Sequence, residues 1–136
     1  MHKTLQIKTP GQGLYEITPE VQSVANATQL DSGLCIVFVQ HTSASLIIQE
    51  NTDPTAREDL ERWLNRLVPE KDTLYRHTAE GPDDMPAHIK AALTATSLSI
   101  PIIGGNLVLG TWQGIYLWEH RSSSHRRSVV VQVLKA

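Results

Sequence analysis

Three of the six histidines in this 136-residue chain lie where a binding pocket could form. His41 ends an apolar run, His77 lies in a stretch without periodicity, and His88 follows a pair of aspartates. Imidazole combined with carboxylate oxygen is a ligand set that suits zinc, nickel or iron. The spacing is not diagnostic, because His77 and His88 are not one helical turn apart as in a metalloprotease motif. The same pattern also fits three unrelated surface histidines.

Carboxylates could supply oxygen ligands to a metal held by these histidines, and arginines of the basic turn could bind phosphate. The acids are Glu50, Asp83, Asp84 and Glu119, and the arginines are Arg121, Arg126 and Arg127. Guanidinium groups donate in a fork that matches phosphate, although a basic turn of this kind can equally be a solvated loop. The chain has no Walker phosphate loop, no GxGxxG and no GxSxG nucleophile elbow.

Composition limits the classes of protein to consider. The length predicts a single domain over residues 1–136. A formal net charge of −2 gives no basic field for nucleic acid. No apolar run approaches the roughly 18 residues of a membrane span, and the lone Cys35 cannot form an internal disulfide. We therefore predict a cytoplasmic protein that binds neither nucleic acid nor membrane.

Two apolar runs near the middle of the chain must position the first histidine. Leu34–Val39 leads into His41, and Leu46–Ile48 leads into a polar segment, residues 49–53. Apolar, β-branched runs of this length predict buried strands, and polar residues at strand ends can face a shared pocket. Ordinary turn chemistry is the simpler interpretation of the same polar residues.

Helix signals separate the predicted strands. Thr18-Pro19 and Asp53-Pro54 each combine a capping side chain with proline at the first helical position. Asp83-Asp84 resembles a cap for a third helix over residues 87–95. The final third of the chain is rich in β-type runs. Helices separated by pairs of strands predict an α+β fold with mainly antiparallel sheet.

An amphipathic stripe marks the second helix. It consists of Leu60, Trp63, Leu64 and Leu67, at positions i, i+3, i+4 and i+7. This spacing predicts that Trp63 packs in the core.

Three motifs together resemble one protein family, secondary thiamine-phosphate synthase. They are HTSASLIIQENTDP (41–54), PDDMPAHIKAAL (82–93) and LGTWQGIYLWEHR (109–121). The His-Arg pair that follows Glu119 is similar to the enterobacterial type. Many other members have an Asp-Gly-Pro-Arg turn where this chain has residues 121–126, so an anion-binding role of that turn stays open. The resemblance implies two mainly antiparallel sheets packed as a sandwich with about three helices outside, assembled into a homotrimer.

The resemblance also implies an activity. It is weak thiamine-phosphate synthesis, in which hydroxymethylpyrimidine pyrophosphate is joined to a thiazole phosphate with release of pyrophosphate. A divalent metal such as zinc, nickel or magnesium would offset charge on the leaving group. The alternatives are a non-catalytic metal- or metabolite-binding protein, or a metal-dependent hydrolase, with incidental synthase activity. The expected partner is a small phosphorylated metabolite.

The resemblance assigns expected roles to individual residues of this chain. The expected metal ligands are His77, His88, His41 and Asp83. Glu119 and His41 are the expected catalytic residues, with Glu119 acting as a general base or as support for a ligand. The expected substrate-binding residues are Ser43, Asn51, Asp53, Thr111, Trp112, Gln113, Arg121 and Arg126. Trp112 would stack on a pyrimidine or pack in the core.

Overall fold

A computed structural model describes residues 1–136 and contains eight strands and three helices. The strands are β1 (His2–Thr9), β2 (Gly13–Glu16), β3 (Ser32–Val39), β4 (Ala44–Glu50), β5 (Ser97–Ile103), β6 (Asn106–Leu107), β7 (Gln113–Glu119) and β8 (His125–Lys135). The helices are α1 (Thr18–Ala27), α2 (Pro54–Leu67) and α3 (Asp84–Leu93). None of them has the length and apolar character that a membrane crossing would need.

The strands form two antiparallel sheets. The larger has the order β1-β8-β3-β5-β6, and the smaller has the order β2-β7-β4. Apolar side chains from both sheets and from α1 form one cluster of 18 buried residues. The predicted α+β sandwich with mainly antiparallel sheets and three helices is therefore confirmed.

Strand alternation decides which residues of β8 enter the core. Arg127 is buried together with Val129, Val131 and Val133, whereas the neighbouring Arg126 is exposed on the opposite face. The sandwich interior thus contains one arginine, and its charge needs a buried partner.

Helices α2 and α3 cover the outer face of the smaller sheet. Leu64 and Val68 pack with Trp118 of β7, and Ile89 of α3 packs against the same cluster. The predicted core role of Trp63 is wrong, because 53% of this residue is exposed. Helix α2 touches the sheet along a narrow stripe, and the i+3 position of the predicted stripe falls outside it.

The start of α3 differs from the sequence prediction. The helix begins at Asp84 rather than at residue 87, so Asp84 lies in its first turn and one turn before His88. Asp83 occupies the N-cap position but makes no side-chain capping bond. Its carboxylate is engaged elsewhere, as described below.

A candidate metal site at the start of helix α3

The contacts of His88 fix the direction of its ring. Its Nδ1 lies 2.9 Å from the backbone carbonyl oxygen of Thr42, in the connection between β3 and β4. A carbonyl oxygen only accepts, so Nδ1 must carry the hydrogen and donate it. In the neutral ring, Nε2 then has a free lone pair, which is the arrangement of a metal-binding histidine whose other nitrogen is held by a carbonyl.

Asp84 joins His88 to His77. Its Oδ2 lies 3.1 Å from Nε2 of His88 and 2.8 Å from Nε2 of His77. The three ligand atoms lie within 4.8 Å of one another, and the two rings are 5.3 Å apart. The Asp84 side chain is 3% exposed and that of His77 is 52% exposed. The cluster therefore has a buried carboxylate and a side open to solvent.

Arg121 fixes both aspartates. Its Nη1 lies 2.9 Å from Oδ1 of Asp84, and its Nε donates to Oδ2 of Asp83 at 3.0 Å. Asp83 also accepts from the backbone N–H of Ser122. Burial would raise the pKa of Asp83, but the bonds from Arg121 and Ser122 hold it below its usual value. The geometry thus places Asp84, rather than the predicted Asp83, beside the histidines.

Arg121 directs three of its five N–H donors at protein acceptors. Its Nη2 donates to the carbonyl oxygen of Glu80 at 3.0 Å, so Nε, Nη1 and Nη2 all have protein partners. The hydrogen bond to Asp83 raises the pKa of Arg121. This placement favours a role in orienting Asp84 over the expected role in binding substrate.

Glu119 lies behind this site in the sandwich interior and is fully buried. It accepts from Nε of Arg127 and from Oγ1 of Thr9, both at 2.6 Å, and from the backbone N–H of Arg121 at 3.1 Å. Burial alone would raise its pKa, but the bonds from Arg127 and Thr9 lower it. An ionised carboxylate with filled acceptor positions suits support of neighbouring residues, the second of the two expected roles, better than general base catalysis.

His41 is separate from the metal cluster. Its Nε2 accepts from the backbone N–H of Ser128 at 2.8 Å, and its Nδ1 lies 3.3 Å from Nη1 of Arg127. Burial and the charge of Arg127 lower its pKa. The structure therefore does not bring His41 together with His77 and His88 as a ligand. Ser43, two residues on, accepts from Nη2 of Arg127 through its carbonyl and hydroxyl oxygens.

His120 is a further buried histidine near the site, on the outer face of the smaller sheet. Its Nε2 lies 2.8 Å from Oγ of Ser45, while its buried Nδ1 has no hydrogen-bond partner. Burial, and then the charge of the buried Lys90, lower its pKa to about 3. The ring is therefore neutral at ordinary pH.

The remaining expected substrate-binding residues lie at the other end of β4 and β7. They are Asn51, Asp53, Thr111, Trp112 and Gln113. Register pairs Ala44 with Glu119 at one end of these strands and Glu50 with Gln113 at the other. Six residue steps span about 20 Å, so within one chain these residues do not reach the metal cluster.

Local contacts account for several of these distant residues. Asp53 caps α2 by accepting from Thr55, and this bond lowers the pKa of Asp53. Gln113 accepts from the backbone N–H of Gly110, and Trp112 is 58% exposed, which excludes the core role considered for it.

Two residues that the sequence named only as candidates, and to which no role was assigned, make the central contacts at the metal cluster and in the sandwich interior. Asp84 was recognisable from its one-turn spacing to His88 once the helix is started three residues earlier. Arg127 was recognisable from its alternation with the valines of β8, whereas the chosen Arg126 is exposed on the other face.

Comparison with protein-family models identifies a relationship over nearly the whole chain. The family described as UPF0047 protein YjbQ-like matches residues 3–136. A UPF0047 protein of Synechocystis is 54% identical over 129 residues, covering 95% of this chain and 88% of the relative. The UPF0047 protein YjbQ of Escherichia coli O157:H7 is 43% identical, covering 94% and 93%.

Solved structures agree with the fold. A conserved hypothetical protein from Thermus thermophilus has a TM-score of 0.87 and 35% identity, covering 97% of this chain and 99% of that one. A YjbQ/UPF0047 protein from Clostridium acetobutylicum, described as uncharacterized, has a TM-score of 0.85 and 35% identity, covering 98% and 99%.

These matches correct the assignment made from the three motifs. The matching family model and the curated relatives are YjbQ-like UPF0047 proteins, so the assignment to thiamine-phosphate synthase is wrong. The synthase reaction inferred from that assignment is withdrawn, and the alternatives attached to it gain no support from the matches.

Proposed function

The chain belongs to the YjbQ-like UPF0047 family, and we propose that it binds a divalent metal ion through His77, Asp84 and His88. The observation that carries this proposal is the contact between His88 and Asp84. Since Nδ1 of His88 donates to Thr42, its Nε2 lone pair faces the carboxylate oxygen at 3.1 Å. Two lone pairs repel at this distance unless a proton on Nε2 or a metal ion lies between them, and the second nearby imidazole of His77 favours the metal ion.

Two imidazoles and one carboxylate favour zinc or nickel over magnesium. Magnesium prefers oxygen ligands in octahedral geometry, whereas imidazole suits the later transition metals. Three protein ligands leave a coordination position free for a small molecule, as in catalytic rather than structural metal sites.

We propose a small phosphorylated metabolite as the ligand at that free position. A cavity of about 290 Å³ lies beside His77, and its lining includes Lys71, Tyr75 and Met85. A phosphate oxygen of the ligand would bind the metal, and its apolar part would pack against Tyr75 and Met85.

Metal analysis of the untagged protein tests the proposal. We expect near-stoichiometric zinc or nickel by mass spectrometry, and loss of this metal in folded His77→Ala and His88→Ala variants. His2→Ala is the matched control, because His2 lies in β1, outside the cluster. Its metal content should equal that of the wild type.

Two results would reject the metal site. One is a wild-type protein that contains no metal and takes up neither zinc nor nickel in titration calorimetry. The other is uptake that the His88→Ala variant retains in full. The contact between His88 and Asp84 would then be an ion pair with a protonated ring.

A homotrimer remains our proposal for the assembly. Support comes from the outer face of the larger sheet, where apolar side chains are only partly buried. They are Leu34, Ile36, Phe38, Val130 and Leu134. An apolar face of this kind commonly marks an interface. Light scattering should give a molar mass three times that of the chain, and Phe38→Glu should reduce this mass. A monomeric wild type would reject the trimer.

A cytoplasmic location is likewise a proposal. It is consistent with the single buried thiol of Cys35, whose pKa burial raises to about 11. Fractionation of cells that express a tagged chain would test it.

A further inference from the structure

The ring of His41 meets two N–H donors and can satisfy only one of them. The backbone N–H of Ser128 donates to Nε2 at 2.8 Å, and Nη1 of Arg127 lies 3.3 Å from Nδ1. A neutral imidazole carries one hydrogen, and since Nε2 accepts, that hydrogen is on Nδ1. The Nδ1–H group therefore faces an N–H group of Arg127, and neither has an acceptor.

The state of the ring is fixed by its surroundings. Burial, followed by the charge of Arg127, lowers the pKa of His41, while Glu119 opposes and His125 adds to this shift. A protonated ring would not help, because both nitrogens would then donate. Arg127 in turn is held in place, since Nε and Nη2 bind Glu119 and its Nη1 end is directed at His41.

A cavity opens on this pair of donors. Its volume is about 490 Å³, and His41, Thr42, Ser43 and Thr96 are among the residues that line it. The exposed Thr42 adds a further hydroxyl at the same wall. Because Ser43 accepts from Arg127 through Oγ, its own hydroxyl hydrogen is free to donate.

We propose that the cavity at His41 binds a small anion, a phosphate or carboxylate group, through Nδ1–H of His41 and the hydroxyl of Thr42, with Nη1–H of Arg127 behind them. An oxygen that carries negative charge supplies the acceptor that both N–H groups lack. This site is distinct from the metal cluster and stands without it. The two sites flank one residue, because the carbonyl oxygen of Thr42 accepts from His88.

The experiment follows His41 directly by NMR in metal-free protein from which chelator has been dialysed. Long-range ¹H–¹⁵N spectra of labelled protein report Nδ1 and Nε2 of each histidine, and His41→Phe identifies the signals of His41. Inorganic phosphate and acetate are titrated separately. We expect saturating shifts of the His41 signals with a dissociation constant of about 1 mM or lower for at least one of them.

Matched variants locate the site. Arg127→Lys should weaken binding about tenfold, because lysine cannot keep the fork to Glu119 and also reach His41. Arg126→Lys makes the same change on the neighbouring arginine, which is exposed on the opposite face of β8, and should leave affinity unchanged. Thr42→Val is a second test that leaves the buried ion pair intact, and it should weaken binding about fivefold.

Each result decides the matter. If phosphate binds more tightly than acetate, the cavity is a phosphate site. If acetate binds more tightly, it is a carboxylate site. The proposal is overturned if the His41 signals do not saturate by about 50 mM of either anion, well above the expected constant. It is also overturned if Arg126→Lys weakens binding as much as Arg127→Lys, or if Thr42→Val has no effect. All titrations use metal-free protein, so a failed metal site does not affect this outcome.

Discussion

Two histidine contacts on either side of Thr42 have opposite electrostatic character. At His88, Nε2 of the neutral ring faces a carboxylate oxygen, so two acceptors meet when no cation is bound. At His41, an imidazole N–H faces a guanidinium N–H, so two donors meet. The difference follows from which ring nitrogen the backbone engages: a carbonyl oxygen holds His88 by Nδ1, and an N–H holds His41 by Nε2.

The backbone contact of each histidine determines which ring nitrogen carries the hydrogen. The other nitrogen then determines the sign of the charge on the ligand that the ring can face. Two facing acceptors call for a cation, and two facing donors call for an anion. The surroundings match this division. Asp84 supplies negative charge at the first contact, and Arg127 supplies positive charge at the second.

The largest expected effect is on the free energy of unfolding, to which the region around Arg127 should contribute more than the region around His88. Arg127→Met leaves Glu119 buried without its counter-charge, and we expect a loss of about 3–5 kcal/mol in the free energy of unfolding. His88→Ala removes a partly exposed ring and should cost about 1 kcal/mol or less. Urea denaturation measures both. Equal losses in the two variants would show that the Arg127–Glu119 ion pair contributes no more to stability than His88 does.

The next effect concerns metal affinity. Asp84→Asn keeps the shape of the side chain but removes its charge, and we expect at least about a 100-fold loss of zinc or nickel affinity by calorimetry. Asp83→Asn should cost only about tenfold, because Asp83 acts through Arg121. A larger loss of affinity in Asp83→Asn than in Asp84→Asn would identify Asp83 as the metal ligand.

A pH effect distinguishes the buried His120 from the partly exposed His41 and His88, which face candidate ligands. The folded-state pKa of His120 is about 3 against an ordinary 6.5, so its contribution to stability is complete above pH 6.5 and is lost as pH falls towards 3. The slope should approach about 1.4 kcal/mol per pH unit.

Two matched variants, each replacing one histidine with glutamine, test this dependence of stability on pH. His120→Gln should flatten the stability curve between pH 6.5 and 4, and the same change at the partly exposed His125 should not. A slope that persists in His120→Gln would assign the pH dependence to another group.

The smallest expected effect lies at the far end of β4 and β7. Asn51→Ala and Trp112→Ala should leave metal and phosphate affinity within about twofold, because these residues act independently at about 20 Å. A loss beyond tenfold would indicate that a neighbouring copy of the chain brings this end to the site.

The sequence was sufficient for the fold and for part of the site. The β-type runs of the final third and the Asp53-Pro54 signal correctly predicted strands there and the start of α2. The structure places His77 and His88 side by side, with ring centroids 5.3 Å apart, and their role as metal ligands stays a prediction.

The rest of the site could not be predicted, since it depends on small shifts in register. Starting α3 three residues late exchanged Asp84 for Asp83. Choosing Arg126 over Arg127 took the wrong face of a strand, where one residue reverses the side chain. Trp63 shows the limit of helical periodicity, which identifies an apolar stripe but not how much of it the sheet covers.

The most direct measurement is the tautomer of His88 before and after zinc is added. Long-range ¹H–¹⁵N spectra of metal-free protein should show a hydrogen on Nδ1, as the bond to Thr42 requires. Addition of one equivalent of zinc should shift Nε2 of both His88 and His77. A ring without a hydrogen on Nδ1, or spectra of His88 and His77 that zinc leaves unchanged, would contradict the proposed metal site.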